Sequence, residues 1–354
     1  MFKILSINPG STSTKIAVYE DDILICLHTI RHTSDDLSTF KIVFDQSNFR
    51  KKLILDYLKQ EDINLFDFSA VVGRGGFVRS IESGVYVVNE LMISDLKNPQ
   101  NSQHASNLGA IISFEIAATI PNCQSFIADP VVVDEMQEVA CISGLPNMPR
   151  RSMFHALNHK AIGRKYAASL GTTYDKLNLV IAHLGGGISV AAHRKGKVVD
   201  LNQGFDGYGP FSPERSGTLD AGLLVNMCFE GNNSQIELHK MLVGNGGLMA
   251  HLGTNDVQIV LEMMQSGDEH ARLVLEAMAY NVAKEIGSML VVLQGKADAV
   301  ILTGGIAHST FVVDYIKHMI LPFINVVIYP GEDEMEALAM NALRVLRGEM
   351  AKKY

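Results

Sequence analysis

Two stretches of the chain share one plan. "LSINPGSTSTKIAVYEDDILICLHT" runs from Leu5 to Thr29, and "LVIAHLGGGISVAAHRKGKVVDL" from Leu179 to Leu201. Each reads as an apolar run, a knot of small residues, a second apolar run, a polar turn and a third apolar run, which is the pattern of a three-stranded meander. The copies lie too far apart for a solenoid repeat. At 354 residues the chain also exceeds what one hydrophobic core usually spans. A duplicated α/β domain accounts for both facts, with a cleft expected between the copies. The expected division is residues 1–150 and 151–335, parted in the loop-rich "SGLPNMPRRS" near Arg150, with a terminal helix at 336–354 packing back on the first domain.

Strand-like runs fall at Ile4–Ile7, Lys15–Tyr19, Ile23–His28, Ala70–Val72, Ser125–Ala128, Leu179–His183, Ser189–Ala192, Val198–Leu201, Ala299–Thr303 and Asn325–Ile328. Helical periodicity separates them, at Asn48–Gln60, Leu108–Thr119, Phe154–Ser169, Leu219–Phe229, Asp268–Leu293, Phe311–Leu321 and Met335–Arg347. In the longest of these, Ala271, Leu275, Met278, Val282, Ile286 and Met289 step by three and four, and Asp268 is placed to cap the start. Hairpins joined to later β-α-β units imply mixed, partly parallel sheets with helices on their faces.

Composition removes several classes of function. The formal net charge is −8 and no long run of Lys or Arg occurs, which argues against a nucleic-acid surface. Cys26, Cys123, Cys141 and Cys228 are widely spaced and form no C-x-x-C, so neither zinc nor a disulfide framework is expected. No basic segment followed by an apolar one opens the sequence, and no apolar run approaches the ~20 residues of a membrane span. The expectation is a cytoplasmic protein without membrane or nucleic-acid partners. Its apolar helix faces allow a homo-oligomer, a dimer or larger.

The glycine knots carry the chemistry. In "NPGSTSTK" the small residues let backbone approach a ligand, Ser11 and Ser13 offer hydroxyls, and Asn8 and Lys15 add an amide and a positive charge. Such a turn suits phosphate, although an ordinary hairpin turn also needs glycine. It lacks the spacing of G-x-x-x-x-G-K-[ST]. In "HLGGGIS", His183 is followed by Gly185, Gly186 and Gly187, one glycine more than a tight hairpin uses, and a backbone nest around anionic oxygens would explain the third. "ILTGGIAHS", with Gly304 and Gly305, offers a flat surface for an adenosine. "VVGRGGF" sets Arg74 among glycines, where a structural arginine has little to pack on. Four strand-end glycine turns fit a nucleotide phosphate chain gripped from both halves.

The ordered motifs "NPGSTSTK", "GRGG", "HASNLGA", "ADPVVVDEM", "RRSMFHALNHKA", "HLGGGIS", "SPERSG", "LTGGIA" and "PGEDEMEALA" span nearly the whole chain. Together they resemble the acetate kinase family, most closely its butyrate kinase branch, within the superfamily of acetate and sugar kinases, Hsp70 and actin. The resemblance implies two ribonuclease H-like, actin-like ATPase domains. It also implies reversible phosphoryl transfer between ATP and a short-chain carboxylate, giving ADP and an acyl phosphate, with Mg²⁺.

A carboxylate is already ionised at pH 7, so this chemistry needs no general base. What it needs is neutralisation of two anions brought together. By resemblance Arg74 lies in the carboxylate pocket, Arg215 of "SPERSG" meets the transferring phosphoryl group, and His155 of "MFHALNH" stabilises the transition state. Read alone, each arginine also fits a surface salt bridge, and His155 a structural role at a helix start. Where acetate kinases usually have glycine after this histidine, the chain has Ala156. Asp129, at the end of "SFIA", matches the family's catalytic aspartate and suits Mg²⁺; Glu334 matches its magnesium-linked glutamate, with Asp333 and Glu336 near enough to compete. His159 and His183 are weaker candidates, and Asp200 fits a structural role equally well. Three alternatives share the fold: an acetate or propionate kinase, a hydroxyl (sugar) kinase using Asp129 as base, and a non-metabolic actin-like or chaperone ATPase.

Overall fold

The computed structural model describes residues 1–98, 104–231, 233–321 and 323–354. These divide into two compact units. The first comprises Met1–Val133, Ala156–Asn158 and Asp333–Tyr354; the second comprises Asp134–His155 and His159–Glu332.

The sheet of the first unit contains β1 (Lys3–Pro9), β2 (Ser13–Glu20), β3 (Ile23–Arg31), β4 (Phe68–Arg74), β5 (Val85–Val87) and β6 (Gln124–Ala128), in the order β3-β2-β1-β4-β6-β5. The meander β1-β2-β3 is antiparallel, whereas β4 runs parallel to β1, and β6 parallel to β4. The second unit contains β7 (Asn178–Leu184), β8 (Ile188–Arg194), β9 (Lys197–Leu201), β10 (Ala299–Gly304) and β11 (Val326–Pro330), in the order β11-β10-β7-β8-β9. Here too the first three strands are an antiparallel meander, and β10 and β11 follow parallel to β7. The two glycine-bearing stretches therefore seed the same five-strand ribonuclease H-like topology twice, as the repeat implies. Central strands such as β1 and β7 are buried almost throughout, in keeping with their continuous apolar sequence, whereas β3, at a sheet edge, is largely exposed.

Helices cover these sheets by their apolar stripes. In the first unit, Leu108, Ile111 and Ile112 of helix Asn107–Ala117 pack with Leu5, Ile7 and Val71. In the second, Leu275, Met278, Val282 and Ile286 of helix Glu269–Val292 pack on Val180, Ala182 and Val190, while Ile162 and Tyr166 meet Leu179 and Ile181. The Asp268 side chain accepts from the His270 and Ala271 N–H groups and so caps the long helix as its sequence predicts.

Three departures have local causes. The units part at Val133 rather than near Arg150. Residues that follow are tied to β9 and its approach: Glu135 accepts from Val198 N–H and Lys160, Gln137 N–H donates to Val199, and Arg150 bonds Asp200 and the Leu201 carbonyl. The terminal helix spans Glu334–Leu346 and not 336–354. Gly348, at φ +109°, breaks it, and the tail turns back so that Lys352 exchanges backbone hydrogen bonds with Val85 and Val87. That pairing explains β5, a three-residue strand too short to announce itself by alternation.

Candidate active site

Along the first unit, the carboxyl ends of three neighbouring parallel strands bring the predicted residues together. Asn8 lies at the end of β1, Arg74 closes β4, and Asp129 follows β6, whose Ala128 is in register with Arg74. This edge of a parallel sheet is where α/β folds place ligands. Buried Asn8 donates from Nδ2 to Glu334 Oε2 at 2.6 Å, and an Arg74 guanidinium nitrogen reaches the same oxygen at 3.2 Å. Asn8, Arg74 and Glu334 thus form one cluster. Asp333 and Glu336 are exposed and act elsewhere: burial, then the charges of Glu336 and Asp333, push the Tyr19 phenol up to about 12. Among the three acids it is Glu334 that joins the predicted site.

Asp129 is buried and held in an uncommon conformation, φ +38°, which a non-glycine residue adopts only under restraint. The restraint is visible. Its Oδ1 accepts from Ser83 Oγ at 2.6 Å and Gly84 N–H at 2.8 Å, and its own N–H donates to the Gly84 carbonyl. The glycines around Arg74 serve packing. A Cβ on Gly73 would overlap the Gly109 carbonyl, and one on Gly75 would overlap Pro130. The "GRGG" turn is therefore bare because a helix and the Asp129 segment press against it.

The "NPGSTSTK" turn leaves Ser11 and Lys15 exposed and Ser13 half-buried. Beneath it lies a residue that sequence reasoning missed. Arg50, fully buried on helix Ser47–Gln60, donates to the carbonyls of Gly10, Ser11 and Ser13 and to Thr14 Oγ1. Burial pulls its guanidinium down to about 10. Burial, followed by the Arg50 charge, pulls the neighbouring His32, bonded to Thr14 Oγ1, down to about 4. A clamp on consecutive carbonyls fixes the shape of this turn.

In the second unit the corresponding strand ends meet around the "HLGGGIS" turn. An open cavity of about 480 Å³ is lined there by Gly185 and Gly186, by Pro213 and Glu214 of "SPERSG", and by Gly305 and Ile306 of "LTGGIA". A Cβ on Gly305 would meet nothing within 4 Å, whereas Gly304, at φ +90°, passes so close to Leu184 that a Cβ would strike its backbone. Three motifs thus frame one cavity of a size suited to a nucleoside.

Arg215 lies beside this turn, its guanidinium donating to the Gly204 carbonyl and resting over the Phe205 ring, 5.3 Å from its centroid. A Cβ on Gly187 would overlap that guanidinium. The third glycine of "HLGGG" thus leaves room for Arg215, a packing role alongside the anion nest expected of this turn. Burial pulls the Arg215 guanidinium below its ordinary value.

His155 stands at the N-cap of helix Ala156–Ser169 and stacks on His183, with ring centroids 4.0 Å apart. Buried His183 lies 3.0 Å from Glu332 Oε1, so its place is between His155 and the rim of the cavity. His159, fully buried, bonds Ser189 and His193. Asp200 pairs with Arg150 at 2.8 Å, the structural role that the sequence left open.

The Acetokinase family model matches residues 143–330, more than half of the chain. This chain belongs to the acetokinase family. The matched part of this family member includes His155, the "HLGGG" turn, Arg215 and the "LTGGIA" turn. Solved structures of similar fold include an acetate kinase from Porphyromonas gingivalis, with a TM-score of 0.81 at 18% identity, covering 98% of this chain and 100% of that one. A propionate kinase from Francisella tularensis gives 0.76 at 20% identity, over 96% and 99% of the two chains. A ROK family protein from Streptococcus pneumoniae, in complex with sucrose, gives only 0.51 at 13% identity over 98% and 100%. At these identities the likeness is one of fold.

For the Mg²⁺ that the family implies, the fit rests on the acids already described. Among the described residues no three His, Cys, Asp or Glu side chains gather into a metal cage. Mg²⁺ carried by phosphates asks for one or two carboxylates besides phosphate oxygens and water, and Asp129 and Glu334 supply that number. Asp129→Asn keeps the side-chain shape and an acceptor for Ser83 while removing the charge. It is expected to raise the Mg²⁺ concentration at half-maximal rate by about 10–100-fold. An unchanged Mg²⁺ titration removes Asp129 from the metal site.

Proposed function

We propose that this acetokinase-family protein is a short-chain carboxylate kinase that transfers a phosphoryl group reversibly between ATP and a four-carbon acid, butyrate or a branched equivalent. The observation that supports it most is the convergence of His155 and Arg215 on the "HLGGG" turn that lines the nucleotide-sized cavity. Two cationic or hydrogen-bond-donating groups placed where phosphate oxygens would lie provide charge stabilisation without a base. In the first unit Arg74 supplies a planar guanidinium suited to an acceptor carboxylate and already shares an oxygen of one carboxylate, that of Glu334. Bound Mg²⁺ would neutralise phosphate charge, with Asp129 and Glu334 as its protein carboxylates.

The chain length of the acid is read from the apolar residues around Arg74 and Asp129. Val71, Val72, Val78, Ile127, Val132 and Val133 are buried in the core. Phe77 and Val131 are half-buried and retain exposed surface, which supports assigning the acyl tail to these two.

The rival hydroxyl kinase would use Asp129 to take a proton from an alcohol. ATP-dependent phosphorylation of butyrate, trapped as its hydroxamate, with no phosphorylation of hexoses, is the expected result. Hexose phosphorylation without acyl hydroxamate would overturn the proposal.

A further inference from the structure

We propose that Ser189, His159, His193 and Tyr174 form a one-directional hydrogen-bond relay that holds the His155 imidazole with its proton on Nε2, which makes them positioning residues for the donor role proposed above. Ser189 Oγ lies 2.9 Å from His155 Nδ1 and 3.0 Å from His159 Nε2. His159 Nδ1 lies 3.2 Å from His193 Nε2, and His193 Nδ1 bonds the Tyr174 hydroxyl. The relay is built from two periodicities. His155 and His159 are spaced by four along helix Ala156–Ser169 and its cap, and Ser189 and His193 by four along β8, so each pair presents to one side.

Direction follows from protonation and from the end group. His159 and His193 are fully buried, and burial, before any neighbouring charge, pulls both well below the ordinary imidazole value. Each is therefore neutral, with one donor and one acceptor nitrogen, and a chain of such groups has only two possible polarities. Tyr174 selects between them, because a phenol donates better than it accepts. Lys160, its Nζ 5.7 Å from the Tyr174 ring centroid and in a buried pair with Glu135 at 2.6 Å, strengthens that preference. Tyr174 then donates to His193, His193 to His159, His159 to Ser189, and Ser189 to His155 Nδ1. The remaining hydrogen of His155 lies on Nε2, the atom that must meet an anionic phosphoryl oxygen; the opposite polarity would offer that oxygen a lone pair.

The helix makes room for the relay's end. A Cβ on Gly163 would lie 2.6 Å from Tyr174 Cε2, so this helical glycine, which costs about 1 kcal/mol relative to alanine, seats the phenol ring.

The inference rests on the proposed donor role of His155, yet its test reads the tautomer separately. Histidine-¹⁵N-labelled full-length protein should show His155 with Nε2 protonated and Nδ1 bare. Tyr174→Phe removes one hydroxyl; it should mix the two tautomers at His155 and lower kcat by about fivefold, the worth of one neutral hydrogen bond, with KM for both substrates unchanged. Gly163→Ala, which displaces the ring without removing the hydroxyl, should have the same two effects. A wild-type His155 protonated on Nδ1, or a Tyr174→Phe protein with its tautomer and kcat intact, would overturn the relay. Full turnover in His155→Gln, with the Nε2–H tautomer present in the wild type, would instead overturn the donor role and leave the relay standing.

Discussion

Arg215→Ala is expected to lower kcat by about two to three orders of magnitude, the cost of deleting one preorganised stabiliser of developing charge. The side chain earns this expectation by where it lies. It is set beside the "HLGGG" turn, bonded to the Gly204 carbonyl and stacked on Phe205, so its orientation is fixed before any substrate arrives. Nucleotide KM should change little, since the cavity is lined by Gly185, Gly186, Gly305 and Ile306 and not by Arg215. Arg215→Lys keeps the charge but not the planar fork, and should recover only part of the loss. Steady-state kinetics on protein shown folded by its thermal transition decide the matter. Near-normal turnover in Arg215→Ala would remove this residue from the mechanism.

Gly187→Ala should act through the same guanidinium. The added Cβ and the Arg215 guanidinium compete for one space, and the backbone of the turn is the less free to move. Arg215 is displaced, and kcat is expected to fall by about the same two to three orders of magnitude as in Arg215→Ala. Two substitutions that remove one interaction are not additive, so the double variant should be no slower than Arg215→Ala alone. Gly186→Ala offers the contrast: its Cβ would sit 3.6 Å from Glu214 Oε2, an ordinary contact, and it should raise nucleotide KM without lowering kcat. Multiplicative losses in the Gly187→Ala/Arg215→Ala protein would show that the glycine serves something other than Arg215.

Much of the fold is legible in the sequence because the meander is written twice with strong β-character, and because β1, β4, β7 and β10 each run into a glycine-bearing turn. All ten expected strands overlap observed ones, and the Asp268 cap lies where periodicity puts it. The positions of Asn8, Arg74, Asp129 and His155 at strand or helix ends were equally readable. What local pattern does not carry is contact between distant segments. Three consecutive glycines do not announce that the Arg215 guanidinium lies against the last of them. Arg50 reads as one more charge on a helix until it is found under a turn some forty residues earlier in the chain. His155 with His159, and Ser189 with His193, are visible as spacings of four, but only packing of the helix on β8 joins them into one chain. Burial likewise sorts the eight apolar residues near Arg74 and Asp129, assigning six to the core and leaving Phe77 and Val131.

The central claim, a kinase whose acceptor is a four-carbon acid, is tested most directly by kcat/KM for acetate, propionate and butyrate with ATP and Mg²⁺, measured as acyl hydroxamate. Each methylene buried against Phe77 and Val131 should contribute about 0.8 kcal/mol, so two give roughly a tenfold preference for butyrate over acetate. Valerate and isovalerate should fall near butyrate, because an apolar pocket rejects one further methyl group only weakly. The account predicts efficiency rising from acetate through propionate to butyrate; an efficiency highest for acetate and falling with each added carbon would contradict it.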